Sequence, residues 1–140
     1  MANREEIVDA LSGMALFADL STPQLSDIAG RFEEVFFPEG EMVLRQGLSG
    51  SGFHVILEGE ATVVIDGSRR ATLGKGEYFG EVSLLLDEPP VADIVAVRPL
   101  RCLVLGGPEL EPFLLAYPRV LYRMLIAQTR RLRTANRWRN

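Results

Sequence analysis

The residues able to do chemistry in this chain are few, and their spacing excludes most reactions. His54 is the single histidine, set in an apolar, strand-like run of Phe53, His54, Val55, Ile56 and Leu57. A metal held on a barrel needs two or three imidazoles, so no metal site is expected and His54 reads as structural or surface. Cys102 is the single cysteine, so no intrachain disulfide can form. Its run is apolar, and Arg101 beside it faces the opposite way in a strand. Without a basic or helix-N-terminal environment the thiol reads as buried and inert. There is no Gly-x-Ser-x-Gly elbow, no His-Glu-x-x-His and no Walker loop. The glycine-rich run from Gly47 to Gly52 has no lysine after it and opens no helix, so its glycines serve a turn. No catalytic residue, metal ligand or resident cofactor is assigned, and the chain reads as non-enzymatic.

One stretch does carry a site. From Gly76 to Phe79 the chain reads as a turn and a strand that ends at Gly80, where a missing side chain lets backbones approach closely. A short amphipathic helix with Val82, Leu84, Leu85 and Leu86 begins at once. Unpaired N–H groups at such a start favour an anion. Glu81 in that first turn either complements the helix dipole or accepts hydrogen bonds from the hydroxyls of a ligand.

The elements that must position this stretch follow from periodicity. Residues 3–13 and 22–33 read as helices, with Ile7, Val8 and Leu11 on one face of the first. In the second, Ser21 or Thr22 caps, Pro23 suits the first turn, and Leu25, Ile28, Ala29 and Phe32 share a face. Leu16, Phe17 and Leu20 between them read as a buried connector. From residue 34 to 105 short β-branched and apolar runs alternate with glycine-containing turns, the texture of an antiparallel barrel or sandwich. The runs are Glu34–Phe37, Met42–Arg45, Phe53–Leu57, Ala61–Ile65, Arg70–Leu73, Ala92–Val97 and Cys102–Leu105. Asp66-Gly67 is a hairpin signal, because a type I′ turn needs positive φ at both central residues. Helix returns after residue 107, with Leu110, Phe113, Leu114 and Tyr117 on one face, and Pro118 opens a longer helix to about residue 137.

Phe79-Gly80-Glu81-Val82-Ser83-Leu84-Leu85, followed by Pro89 and Ala92, resembles the phosphate-binding cassette of the cyclic nucleotide-binding domain family. Gly40, Gly47, Gly59, Gly76 and Gly80 fall where that family turns, and the segment from Pro118 to Arg133 looks like its long C-terminal helix. The resemblance covers essentially all 140 residues. It implies a mainly β fold with flanking α: an antiparallel β-roll (a double-stranded β-helix, jelly-roll-like) with N-terminal helices and a long C-terminal helix. The expected division is N-terminal helices in 1–33, a β-roll in 34–106 with the cassette at 76–93, and C-terminal helices in 108–137, all one domain.

The resemblance also implies a ligand, cyclic AMP or cyclic GMP. In the family, cassette amides hold the cyclic phosphate, the cassette glutamate holds the ribose 2′-hydroxyl, and an arginine after the cassette proline neutralises the phosphate. Gly80, Glu81, Val82 and Ser83 match; the arginine does not. Its position is Pro90, followed by Val91, and no Arg or Lys lies between Glu81 and Val97. Asp93 places an acid near where an anion would sit. A charge-assisted hydrogen bond contributes about 1.5–3 kcal/mol, and a buried charge left unpaired costs about 2–5 kcal/mol. Three outcomes stay open: an empty, vestigial site, a ligand less charged than a cyclic phosphate, or another arginine swung in, with Arg69 and Arg70 as candidates.

Charge is divided along the chain. Residues 119–140 hold seven arginines and no acid, while the remaining 118 residues carry −11, for a net charge of −4. The arginine-rich segment is the long helix. Leu121, Leu125, Gln128, Leu132 and Ala135 are spaced 4, 3, 4, 3, a heptad stripe with Gln128 as a register-setting polar residue. A homodimer through this helix is expected, against packing of the stripe on its own β-roll. By the family's pattern, Asn136 is placed to hydrogen-bond a purine and Trp138 to stack on it. Without a recognition element beyond the helix, no specific DNA binding is expected. No membrane segment or signal peptide is evident, and one free cysteine fits the cytoplasm. Two functional readings follow: a cyclic nucleotide sensor or regulatory module with weakened or altered binding, and a degenerate interaction or dimerisation module that binds no nucleotide.

Overall fold

A computed structural model describes residues 2–48 and 52–139, with side chains described through Asn136. The N-terminal helices are α1 (Arg4–Ser12) and α2 (Thr22–Arg31), joined through a 3-10 turn at Ala15–Phe17. Asn3 caps α1 by accepting from the Glu6 amide, and Ser21 with Gln24 forms a capping box on α2. The strands are β1 (Glu33–Phe37), β2 (Met42–Leu44), β3 (Gly52–Glu58), β4 (Ala61–Ile65), β5 (Ser68–Leu73), β6 (Tyr78–Phe79), β7 (Asp93–Ala96) and β8 (Leu100–Gly106). A short helix α3 (Glu81–Leu86) lies between β6 and β7; α4 (Leu110–Ala116) and α5 (Pro118–Arg139) close the chain.

The strands form two four-stranded antiparallel sheets, ordered β1-β8-β3-β6 and β2-β7-β4-β5. This is the expected β-roll with flanking helices. The seven sequence runs appear as strands with ends shifted by at most two residues, and the strand ending at Gly80 is β6. Asp66 and Gly67 have φ of 51° and 77°, as a type I′ hairpin between β4 and β5 requires.

β3 explains why its sequence lacks polar alternation. Phe53, Val55 and Leu57 face a core shared with α1, α2, α4 and α5, while Ile56 faces the second sheet with Leu44, Phe79, Ile94, Leu100 and Cys102. A strand covered on both faces has no solvent side to mark with polar residues. The five glycines at 40, 47, 59, 76 and 80 all have positive φ. At Gly59 a Cβ would lie 2.2 Å from the Pro99 carbonyl oxygen, so a side chain there is excluded by backbone.

α5 exposes the face that the heptad stripe marks. Leu121, Leu125 and Leu132 are 41%, 61% and 61% exposed, whereas Val120 and Met124 are buried against the β-roll. The leucines of the stripe therefore do not pack on their own β-roll. Gln128 also lies off any outer seam, since it turns inward to the cassette. Asp19 fixes the root of α5 by accepting from Arg119 and Arg123, and this pairing holds its carboxyl well below the usual range.

Candidate functional site

The site begins at β6, which pairs with β3 through His54 opposite Phe79. His54 is buried, stacked on Phe79 at 4.6 Å between ring centroids, with Nδ1 2.8 Å from the Gly52 carbonyl oxygen. A carbonyl can only accept, so Nδ1 carries the proton. Burial pushes its pKa down to about 4, so the ring is neutral at pH 7. The same carbonyl fixes the next residue: Gly80 has φ of 93°, and a Cβ there would lie 2.1 Å from that oxygen. The chain can enter α3 only as glycine at this point. Cys102 is buried, and desolvation pushes its thiol up to about 12, as expected of an inert cysteine.

Beyond Gly80 a cavity of about 370 Å³ opens between the cassette and the second sheet. Gly80, Glu81, Val82, Ser83, Pro90 and Val91 all line it, so the structure brings six of the expected site residues together. Leu44, Val63, Leu73, Phe79 and Ile94 supply apolar wall. Asn136 is exposed on α5 and is not among the lining residues. The side chain of Trp138 and the turn residues 49–51 lie outside the described residues.

The charges differ from expectation in two places. Asp93 does not face the cavity: its Oδ1 accepts from the Gln46 amide at 2.7 Å. Beside it the Pro90 carbonyl accepts from the Gly47 amide at 2.9 Å, so the cassette exit is tied to the turn after β2. Nor do Arg69 and Arg70 reach inward, since β5 lines the cavity with Ala71, Thr72 and Leu73. Among the described residues the cationic side chain in the lining is Arg131, from α5.

Arg131 joins a closed network. Its Nη1 donates to Glu81 Oε2 and to Gln128 Oε1, each at 3.0 Å, and its Nη2 donates to the Tyr78 carbonyl at 3.3 Å. The guanidinium lies 4.5 Å from the Tyr78 ring centroid, a cation–π contact. Gln128 Nε2 donates to the same Glu81 oxygen at 2.9 Å, and the Tyr78 hydroxyl donates to Gln128 Oε1 at 2.9 Å. Burial pushes the Tyr78 phenol up to about 12, so it stays a neutral donor. The buried Glu81 carboxylate is thus compensated from α5 by Gln128 and Arg131.

Sequence reasoning missed Tyr78, Gln128 and Arg131. A signal was present: Val120, Met124, Ala127 and Arg131 have the spacing 4, 3, 4, the same period as the leucine stripe displaced by one residue. Two stripes of equal period run along α5, and the more apolar one is the outer one.

The model of the family described as "Cyclic nucleotide-binding domain" matches residues 34–117. The chain belongs to the cyclic nucleotide-binding domain family. It is 35% identical over 105 residues to the cGMP-dependent protein kinase egl-4 of Caenorhabditis briggsae, covering 71% of this chain and 14% of that protein. It is also similar to the solved structure of the Thermus thermophilus catabolite activator protein: 28% identity, TM-score 0.78, 87% of this chain and 60% of the other. A further match is the regulatory subunit of a cAMP-independent protein kinase A from Trypanosoma brucei, in a triply substituted form bound to cAMP in its A site. There the identity is 25% and the TM-score 0.75, over 90% of this chain and 46% of the other. The chain thus spans a fraction of each of these relatives.

Proposed function

We propose that the chain is a non-catalytic regulatory module whose cavity takes a small ligand of the cyclic nucleotide class, weakly, and reports it through α5. The observation that carries this reading is the Arg131–Glu81–Gln128 contact, which places α5 on the same carboxylate that lines the cavity. A ligand that reaches Glu81 competes with or reshapes the seat of α5, and a helix with two seats is a means of transmitting occupancy. The absence of a cation on the cassette itself supports weakened binding of a cyclic phosphate: the side chain at Pro90 offers no charge, and Arg131 is already paired. A free buried thiol and no helix long and apolar enough to cross a membrane among the described residues fit a cytoplasmic regulator.

Calorimetric titration with cyclic AMP and cyclic GMP tests the reading. Binding with Kd in the high micromolar to millimolar range is expected. No heat and no thermal shift at millimolar ligand would remove the nucleotide-sensor reading and leave the interaction module.

A homodimer through α5 has its own support in the exposed row of Leu121, Leu125 and Leu132. Sedimentation of the chain and of a Leu125→Glu, Leu132→Glu variant checks it. The unmodified chain is expected to sediment as a dimer and the variant as a folded monomer; a monomeric unmodified chain at high micromolar concentration removes this part.

A further inference from the structure

We infer that Thr72 is a phosphorylation site for a serine/threonine kinase with an acidic peptide groove, and that phosphate there lowers the affinity of the cavity for an anionic ligand. The site stands on β5 by itself; its effect on affinity rests on the small-ligand reading above. Arg69 and Arg70 precede Thr72 by three and two residues. Kinases sort substrates largely by charge pattern, and guanidiniums pair with carboxylates through two parallel bonds. The Thr72 hydroxyl and both guanidiniums have no partner among the described residues, so a groove that takes them breaks no side-chain contact. β5 is the outer strand of its sheet and pairs with β4 alone. Ser68 to Thr72 are exposed, and Leu73 is the buried residue that ends the strand. The segment is thus already extended, and an edge strand gives up one ladder, not two, to enter a groove.

Thr134 is the other serine or threonine with an arginine three residues before it. It lies within α5, where the chain is helical, and that arginine, Arg131, is held by Glu81. Only Thr72 combines the two cations with an extended backbone. In the transfer, Thr72 Oγ1 bonds to the γ-phosphorus of ATP, the bond from that phosphorus to the β-bridging oxygen breaks, ADP leaves, and the hydroxyl proton passes to the kinase's catalytic carboxylate. Thr72 also lines the cavity, beside Glu77, Glu81 and Arg131, whose formal balance is −1. Phosphate adds a charge of about −1.5 to −2 at pH 7. An anionic ligand then meets a second anion on the cavity wall, with the one cation of the lining already paired.

The full, folded chain is incubated with ATP and the free catalytic subunit of protein kinase A, a kinase that selects paired arginines, and the product is mapped by mass spectrometry. Close to one phosphate per chain is expected, on Thr72. A Thr72→Val variant loses that phosphate, and an Arg69→Ala, Arg70→Ala variant takes it up at least about tenfold more slowly. Calorimetric titration is expected to show cyclic AMP and cyclic GMP at least about tenfold weaker on the phosphorylated chain than on the unmodified one. No phosphate on the folded chain, phosphate on Thr134 alone, or uptake only after unfolding in urea overturns the site. Phosphate on Thr72 with unchanged affinity overturns its effect on the cavity. If neither form binds a cyclic nucleotide, the small-ligand reading falls and the effect on affinity falls with it, while the mapped site stands. The mapping on the unmodified chain decides even if a variant does not fold.

Discussion

The two halves of the cassette are built from different material. The first half, Phe79 to Ser83, is held by backbone: a positive φ at Gly80, a strand pair to β3, and the Gly52 carbonyl pressed against the turn. The second half, Glu88 to Asp93, is held by ties to other loops, through the Pro90 carbonyl to Gly47 and the Asp93 carboxylate to Gln46. The first half is a sterically fixed turn; the second brings no positive charge to it. Shape and charge are thus separable in this fold. Sterics fix the turn whether or not a cation faces it, and the cation present comes from α5, where a helix can take it away.

The sharpest way to break the first half is Gly80→Ala. The left-handed conformation alone costs an alanine on the order of 1 kcal/mol or more, and the added Cβ meets a backbone oxygen that cannot rotate aside. A loss of at least about 3 kcal/mol, roughly 10 °C in melting temperature, is expected in thermal or urea unfolding. A loss below about 1 kcal/mol would mean that the turn is adjustable and that backbone does not hold this half.

His54, beneath the same turn, makes that half sensitive to acid. Its folded pKa of about 4 lies below the ordinary 6.5, so the unfolded chain binds the proton more readily. The contribution to stability is complete above about pH 6.5, drains away as the pH falls toward 4, and is worth up to about 3 kcal/mol at that limit. Urea midpoints between pH 7 and 4, compared with a His54→Phe variant, check this. The variant starts lower, because the Gly52 carbonyl loses its donor, but lacks the imidazole part of the slope. Parallel curves for the two proteins would sink the claim.

The sequence is most legible where backbone rules apply. Asp66-Gly67 marks its hairpin because two positive φ values admit few residues, and Gly80 marks the cassette for the same reason. Ser21 marks the start of α2 through a hydrogen bond accepted three residues on, from the Gln24 amide, and Pro23 through its fixed φ. Glu81, Ser83 and Pro90 were legible as lining because the turn carries them. Arg131 was not, because its role depends on which of two equally spaced stripes on α5 turns inward, and that is decided by packing some 50 residues away in sequence. Asp93 was misplaced for the complementary reason: a strand residue has two faces, and the Gln46 amide, distant in sequence, takes its carboxylate.

The second half can be sharpened by supplying what it lacks. Pro90→Arg puts a guanidinium on the cavity wall and preserves the carbonyl that accepts from Gly47, since that bond uses backbone alone. Asp93 is occupied by Gln46 and does not face the cavity, so the new side chain has no competing partner there. A charge-assisted bond contributes about 1.5–3 kcal/mol, and affinity for cyclic AMP or cyclic GMP is expected to rise at least about tenfold. The gain should shrink with added salt only slightly, because the pair forms inside a cavity with few competing ions. An affinity that does not move in a correctly folded variant would mean that geometry as well as charge is lost in the second half. The contrast between the two halves would then be one of shape, and the network from α5 would be a permanent plug in place of a movable seat.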